Sequence, residues 1–245
     1  MFRSPYDGYV AIFSPQGRLH QVEYAMQAVK LGSIAVGLKN EDSAVLIAHT
    51  KPSKCSIAPR KIFNLETHMG MVMSGITTDG QQLAKYLRVE CQAYRLSYDA
   101  QYPIMRLAEN IGNKMQIATQ RCGLRPYGVG LLLASYCHGK PYIYQAMPTA
   151  NVFSCKAMAI GERSKAAHAY LKQHMCEFST CNANELICYG INAVRAADVG
   201  AKELDIAIVG KKTRFKLLTE AELRYYQTMC ELFLPMQSQD FFSSA

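Results

Sequence analysis

Residues 33–48 read SIAVGLKNEDSAVLIA: two apolar runs, Ser33 to Leu38 and Ala44 to Ala48, separated by the polar link Lys39 to Asp42. Runs of this length and β-branched content read as strands. A link this short joins antiparallel neighbours, because a parallel pair needs a crossover of a dozen or more residues. Toward the C-terminus, further strands are expected at Ile62 to Leu65 and Gly70 to Ser74. Helical patterns follow at Thr78 to Tyr94 and Ile104 to Gln120, parted by Tyr102-Pro103. Strands resume at Val129 to Tyr136, Tyr142 to Ala146 and Ala157 to Ile160. Helices come next at Ser164 to Met175 and Asn184 to Ala197, the second with Leu186, Ile187, Ile191 and Val194 on one stripe. Strands at Leu204 to Val209 and Phe215 to Leu218 and a helix from Glu220 to Leu232 complete the order. Blocks of strands alternating with pairs of helices predict an α+β fold, a four-layer α-β-β-α sandwich of two stacked antiparallel sheets flanked by helices. No internal repeat or interdomain linker interrupts it, so residues 1–245 read as a single domain, with 237–245 as a frayed C-terminal tail.

Toward the N-terminus, Ser14-Pro15-Gln16-Gly17 reads as a β-turn, with proline presetting φ at the second position and glycine suited to the fourth. Beyond it Leu19, Val22, Met26 and Val29 recur at helical spacing, which predicts an amphipathic helix over 18–31. Gly32 is expected to end it in the left-handed conformation. Residues 1–13 form an arm ahead of the turn.

The chain has 245 residues, 49% of them apolar, enough for one sizeable core. No apolar run approaches the roughly 20 residues a membrane helix needs, and Met1-Phe2-Arg3 leads into polar and turn residues. A soluble chain that is not exported, with no membrane partner, is the expectation. Nine cysteines without a CxxC pair suit a reducing compartment, so cytoplasm and nucleus are the expected locations. Cys176, Cys181, Cys188, His168 and His174 come closest to a metal cluster, but their spacing lacks the close ligand pairs of a zinc site; no metal and no cofactor is expected. The net charge of +8 raises the question of nucleic acid, above all at Lys211, Lys212, Arg214 and Lys216 around Phe215. Apolar runs on both sides make these residues decoration of a hairpin connection and a strand face, and no nucleic acid is expected as a partner.

The motifs Tyr6-Asp7, then S-P-x-G-R-x-x-Q-x-E-Y-A from Ser14, then A-V-x-x-G-S ending at Ser33, resemble the N-terminal signature of proteasome α subunits, the outer-ring components of the 20S particle. TQRCGLRPYGVGLLLASY (119–136), AMAIGERS (157–164) and YLKQHMCEFSTCNANEL (170–186) resemble that family too, and the likeness runs from Phe2 to about Gly210. It implies the fold of N-terminal-nucleophile hydrolases and a noncatalytic subunit that scaffolds a protease chamber, gates its substrate channel and docks activators for ubiquitin-dependent degradation. The implied partners are other α subunits in a heptameric ring, β-ring subunits, and regulatory-particle ATPases or other activators. By the same resemblance Tyr6, Asp7, Pro15 and Tyr24 would belong to the gate. Gly17, Arg18, Lys61 and Ile76 would form a pocket between neighbouring subunits, in which the lysine ammonium meets the C-terminal carboxylate of an activator. The helix over 18–31 would contact ring neighbours.

By the same resemblance, the β subunits that do the cleaving use an N-terminal threonine whose own free amine can serve as base. Here the corresponding residue, Ser33, has Gly32 and a helix ahead of it, so its nitrogen is an amide and cannot take the hydroxyl proton. Thr50 stands about where catalytic members carry an acid, and Lys61 where they carry a lysine. No catalytic residue is therefore assigned. The alternative is a self-processing amidohydrolase that exposes Ser33 by cleavage after Gly32.

Overall fold

Asn40 shapes the turn that pairs the first two strands. Its side-chain oxygen accepts from the Asp42 amide (3.0 Å), the Ser43 amide (2.6 Å) and the Ser43 hydroxyl (2.9 Å), the local bonding that makes asparagine a turn former. The strands β1 (Ala35–Lys39) and β2 (Ser43–His49) leave this turn antiparallel, with Val36 opposite Ile47 and Leu38 opposite Val45. They belong to a computed structural model that describes residues 6, 8–50, 59–198 and 203–237, with 231–237 described in backbone alone.

The remaining strands are β3 (Ile62–Glu66), β4 (Met69–Gly75), β5 (Val129–Cys137), β6 (Lys140–Ala146), β7 (Val152–Cys155), β8 (Ala157–Ile160), β9 (Leu204–Gly210) and β10 (Lys216–Leu217). The helices are α1 (His20–Leu31), α2 (Thr77–Tyr98), α3 (Ile104–Gln120), α4 (Ser164–Gln173), α5 (Ala183–Ala196) and α6 (Glu220–Gln237). Two five-stranded sheets form, in the orders β10-β9-β2-β1-β8 and β3-β4-β5-β6-β7. Every neighbouring pair is antiparallel.

Side chains alternate along a strand, and here both faces are covered. Val36, Leu38, Val45 and Ile47 point outward into a core shared with α4, α5 and α6. Ala35, Leu46 and Ala48 point inward and meet Val72, Leu132, Ala134 and Ile143 of the second sheet. On the far side Met69, Met71, Met73, Leu131 and Leu133 pack beneath Leu83, Leu87, Leu107 and Ile111 of α2 and α3. Burial on both faces is why β2 reads as an unbroken apolar run rather than an alternating one. This is the expected four-layer α-β-β-α sandwich.

Several boundaries differ from the sequence reading. α1 starts at His20 rather than Arg18, because the Arg18 carbonyl accepts from the Ser14 amide (2.9 Å) and closes the preceding turn. α2 runs four residues past Tyr94, to Tyr98, and ends on Asp99 in the left-handed region (φ 47°). α6 continues to Gln237, beyond the expected Leu232. Strand β7 was not expected; it is an edge strand with Phe153 56% exposed, and it lacks an apolar pattern because its outer flank meets no core. Gly32 does not adopt the left-handed conformation. Its φ and ψ are −67° and 149°, and glycine is required for another reason: a Cβ there would lie 2.2 Å from the Gly75 nitrogen. Phe215, expected to open the last strand, precedes β10 as a buried plug, 7% exposed, seated on Gly70. Asp7 and the tail beyond Gln237 lie outside the described residues. Among the described residues no helix is long and apolar enough to cross a membrane, and no group of three or more His, Cys, Asp or Glu is placed to hold a metal ion.

Candidate functional site

The N-terminal turn forms as its residues dictate. The Gly17 amide donates to the Ser14 carbonyl (2.8 Å), with Gly17 at φ +75° where a side chain would be strained. The Ser14 hydroxyl, on a residue only 5% exposed, accepts from the Arg18 amide (3.2 Å). Pro15 sits exposed at the second position. Arg18 grips Glu23 through two hydrogen bonds, Nε to Oε1 at 2.7 Å and Nη2 to Oε2. The bond to Arg18 holds the Glu23 carboxyl below its usual range, and the same bond raises Arg18. The carboxylate also lies in the first turn of α1, where the helix dipole favours it.

From this turn α1 crosses the second sheet. At its start Leu19 and Val22, with Ala11 and Phe13 of the arm, line a groove of about 510 Å³ against Gln116 and Gln120 of α3. At its end Val29 packs on Gly130, and Gly32 presses on Gly75. The helix spans 12 residues, about 18 Å at 1.5 Å per residue. Several large apolar side chains on the arm and helix face outward: Tyr9 is 63% exposed, Phe13 64% and Leu31 83%.

The segment after α1 closes the mouth between the sheets. Ser33 is 8% exposed, and its carbonyl accepts from the Ser74 hydroxyl at 2.8 Å. The Gly32 carbonyl accepts from the Glu162 amide at 2.7 Å. The main chain is thus held on both sides of the Gly32–Ser33 bond, which is packed against Ser74, Gly75 and Gly161.

The expected site residues fall into two groups. Lys61 leads into β3 with its carbonyl accepting from the Met73 amide (3.1 Å), and Ile76 follows β4, 39% exposed, with its amide donating to the Gly128 carbonyl (2.9 Å). These two share one end of the second sheet. Gly17 and Arg18 precede α1, whose lead-in residue Leu19 lines the groove beside the C-terminal end of α3. Of the residues expected at the gate, Tyr6 is 37% exposed and Tyr24 49%, with the Tyr24 ring stacked on His20 at 6.3 Å between centroids.

Two features escaped the sequence reading. The carboxylate near Lys61 comes from β9, not from β2: burial raises the pKa of Asp205, and the nearby charges of Arg60 and Lys61 oppose that rise. Thr50, with its amide and hydroxyl both donating to the Glu203 carbonyl (2.9 and 3.2 Å), is a strand-end residue. The second is the buried Asp79 at the start of α2. It binds Arg125 in a fork (2.6 and 2.7 Å) and accepts from the Gly128 amide (3.0 Å). Burial would raise its pKa, but these hydrogen bonds prevail and hold it below the usual carboxylate range. The pair fixes the loop 125–128 against which Ile76 packs. Its members are 46 residues apart in sequence, and no local pattern links them.

A fold of two antiparallel sheets between helix pairs, with a turn and helix laid over the mouth where a nucleophile would stand, is the frame of a proteasome subunit. The family model described as proteasome subunit matches residues 29–209, and the chain belongs to that family. Residues 6–28 match the N-terminal signature of A-type proteasome subunits, which places the chain in the α type. It is similar to the alpha type-1 proteasome subunit of Drosophila melanogaster, 48% identical over 91% of this chain and 83% of that protein. It is also similar to the alpha type-1 proteasome subunit of Dictyostelium discoideum, at 39% over 98% of this chain and 99% of that protein. The alpha type-6 proteasome subunit of Saccharomyces cerevisiae is 38% identical over 92% of this chain and 100% of that protein.

Proposed function

We propose that this chain is a noncatalytic subunit of the α ring of the 20S proteasome, working with other α subunits, the β ring and activators in ubiquitin-dependent degradation in cytoplasm and nucleus. The observation that carries this reading is the closure at Gly32–Ser33. A serine whose nitrogen is an amide, buried and bonded on both sides, has no base for its hydroxyl and no path for a substrate carbonyl. In place of an active-site cleft the chain offers a helix and arm with Tyr9, Phe13, Tyr24 and Leu31 facing outward, apolar area that a ring neighbour would bury. Gly17, Arg18, Lys61 and Ile76 would line a pocket between adjacent subunits, as the family resemblance implies. A C-terminal carboxylate bound there near Lys61 would make a charge-assisted contact of roughly 1.5–3 kcal/mol. Displacement of the Ser14–Gly17 turn would then move the arm ahead of it.

The test is the intact mass of this subunit in the purified particle, together with the activity of a Ser33→Ala variant. A mass that includes residues 1–32 and unchanged peptide hydrolysis by the variant are expected. A subunit that begins at Ser33, with hydrolysis lost on substitution, would establish the self-processing amidohydrolase instead.

A further inference from the structure

At the end of the sandwich opposite α1 lies a second cavity, of about 510 Å³, which the gating and docking roles do not use. Arg95 of α2 and Lys211, Lys212 and Arg214 of the β9–β10 connection converge on it, with Thr67, Gln101 and Tyr136 supplying hydroxyl and amide groups. Among the described residues no carboxylate lines it. Arg95 forms an ion pair with Glu66 (3.8 Å), whereas no ion pair engages Lys211, Lys212 or Arg214 among the described residues.

The walls are fixed in advance. The Phe215 amide donates to the Thr67 carbonyl (2.8 Å), joining the basic connection of one sheet to the β3–β4 turn of the other, and the Tyr136 amide donates to the His68 carbonyl (3.1 Å). Phe215 anchors the connection by filling the space that Gly70 leaves: a Cβ at Gly70 would lie 2.1 Å from the ring. Reciprocal bonds between Gly210 and Thr213 (2.9 and 3.2 Å) set the turn itself. None of these contacts needs a cation, yet the exposed Lys211, Lys212 and Arg214 line this concavity beside Arg95, so an anion there would meet their combined field.

We propose that this cavity binds a compact polyphosphate, a small ligand carrying two or more phosphates. Guanidinium forks and ammonium groups suit phosphate oxygens, and the volume suits a small molecule rather than a folded partner. Inorganic polyphosphate, a nucleoside triphosphate and an inositol polyphosphate share this chemistry.

Calorimetric titration of the assembled particle with tripolyphosphate, ATP without magnesium and inositol hexakisphosphate tests it, at about 0.15 M salt so that diffuse attraction is screened. At least one probe is expected to bind, and the tightest identifies the source of the phosphates. Affinity should fall at least tenfold in a Lys212→Gln/Arg214→Gln particle, and should hold in a Lys165→Gln/Lys172→Gln particle altered on α4. Arg95→Gln reports the same loss from outside the hairpin, should the double variant fail to assemble. Equal affinity in wild type and Arg95→Gln, an equal loss in the α4 control, or no binding by any probe overturns the proposal.

Discussion

The Ser74 hydroxyl donates to the Ser33 carbonyl at 2.8 Å, tying the residues that lead into β1 to the end of β4 in the facing sheet. The same hydroxyl lies 3.3 Å from the Val29 carbonyl, near the end of α1. One buried side chain thereby holds helix, strand lead-in and opposite sheet together, and the absence of a Cβ at Gly32 permits the approach. Ser74→Ala should destabilise the chain by about 1–2 kcal/mol, the effect of leaving buried carbonyls without a donor. Gly32→Ala should cost more, about 3 kcal/mol, because backbone atoms of Gly75 must shift. Chemical denaturation of the particle, followed on this subunit by hydrogen exchange, measures both. An alanine at Gly32 that leaves exchange unaltered would contradict the packing described.

Asp79→Asn keeps the shape of the buried carboxylate but removes its charge, and should lower stability by about 2 kcal/mol, discounted because Arg125 is 62% exposed. Since the carboxyl titrates lower in the folded chain than in the unfolded one, its contribution is complete above the unfolded value of about 4 and is lost as pH falls through the folded value. The wild type should therefore lose stability on acidification faster than Asp79→Asn. Parallel curves for the two would show that the pair is not what titrates.

Glu222 gives a second, exposed acid response. It accepts from Lys216 and from the Thr219 amide and hydroxyl at the start of α6, and the Lys216 bond first, then Thr219, draw its pKa down to about 2. Its contribution is complete above 4.5 and fades as pH drops toward 2. Exchange of the first α6 amides should rise in that window in the wild type, and already be raised at neutral pH in Glu222→Gln.

Deleting residues 2–13 should raise basal peptide hydrolysis by the assembled particle if the arm helps to close the channel. Unaltered basal hydrolysis with normal assembly would remove the arm from the gate.

Lys61→Ala should weaken docking of an activator whose C-terminus enters the pocket by roughly tenfold, the equivalent of one charge-assisted contact. Assembly should not suffer. Its neighbour Asp205 gives a second readout: burial raises this carboxyl and the charge of Lys61 opposes the rise, so in the variant Asp205 should titrate higher than in the wild type. Equal activator affinity in wild type and variant would dismiss the pocket.

Local chemistry made much of this chain legible in advance. Ser14-Pro15-Gln16-Gly17 had to turn, because proline and glycine restrict or free the backbone whatever surrounds them, and two apolar runs joined by Lys39 to Asp42 had to pair antiparallel, because so short a link reaches no further. The doubly covered sheets showed as unbroken apolar runs, as in β2. Edge strand β7 was hidden because a strand with solvent beside it need not carry a pattern.

What only the tertiary structure decided are the relations between residues far apart in the chain: Ser74 with Ser33, Asp79 with Arg125, Asp205 near Lys61, and the cations of Arg95 and Lys211 to Arg214 around one cavity. It also changed the reason for Gly32, from a helix terminator to a point where two backbones nearly touch. Backbone preference is written in each residue and its near neighbours. Proximity across the sandwich follows from sheet order and register, which arise when the whole core is buried together.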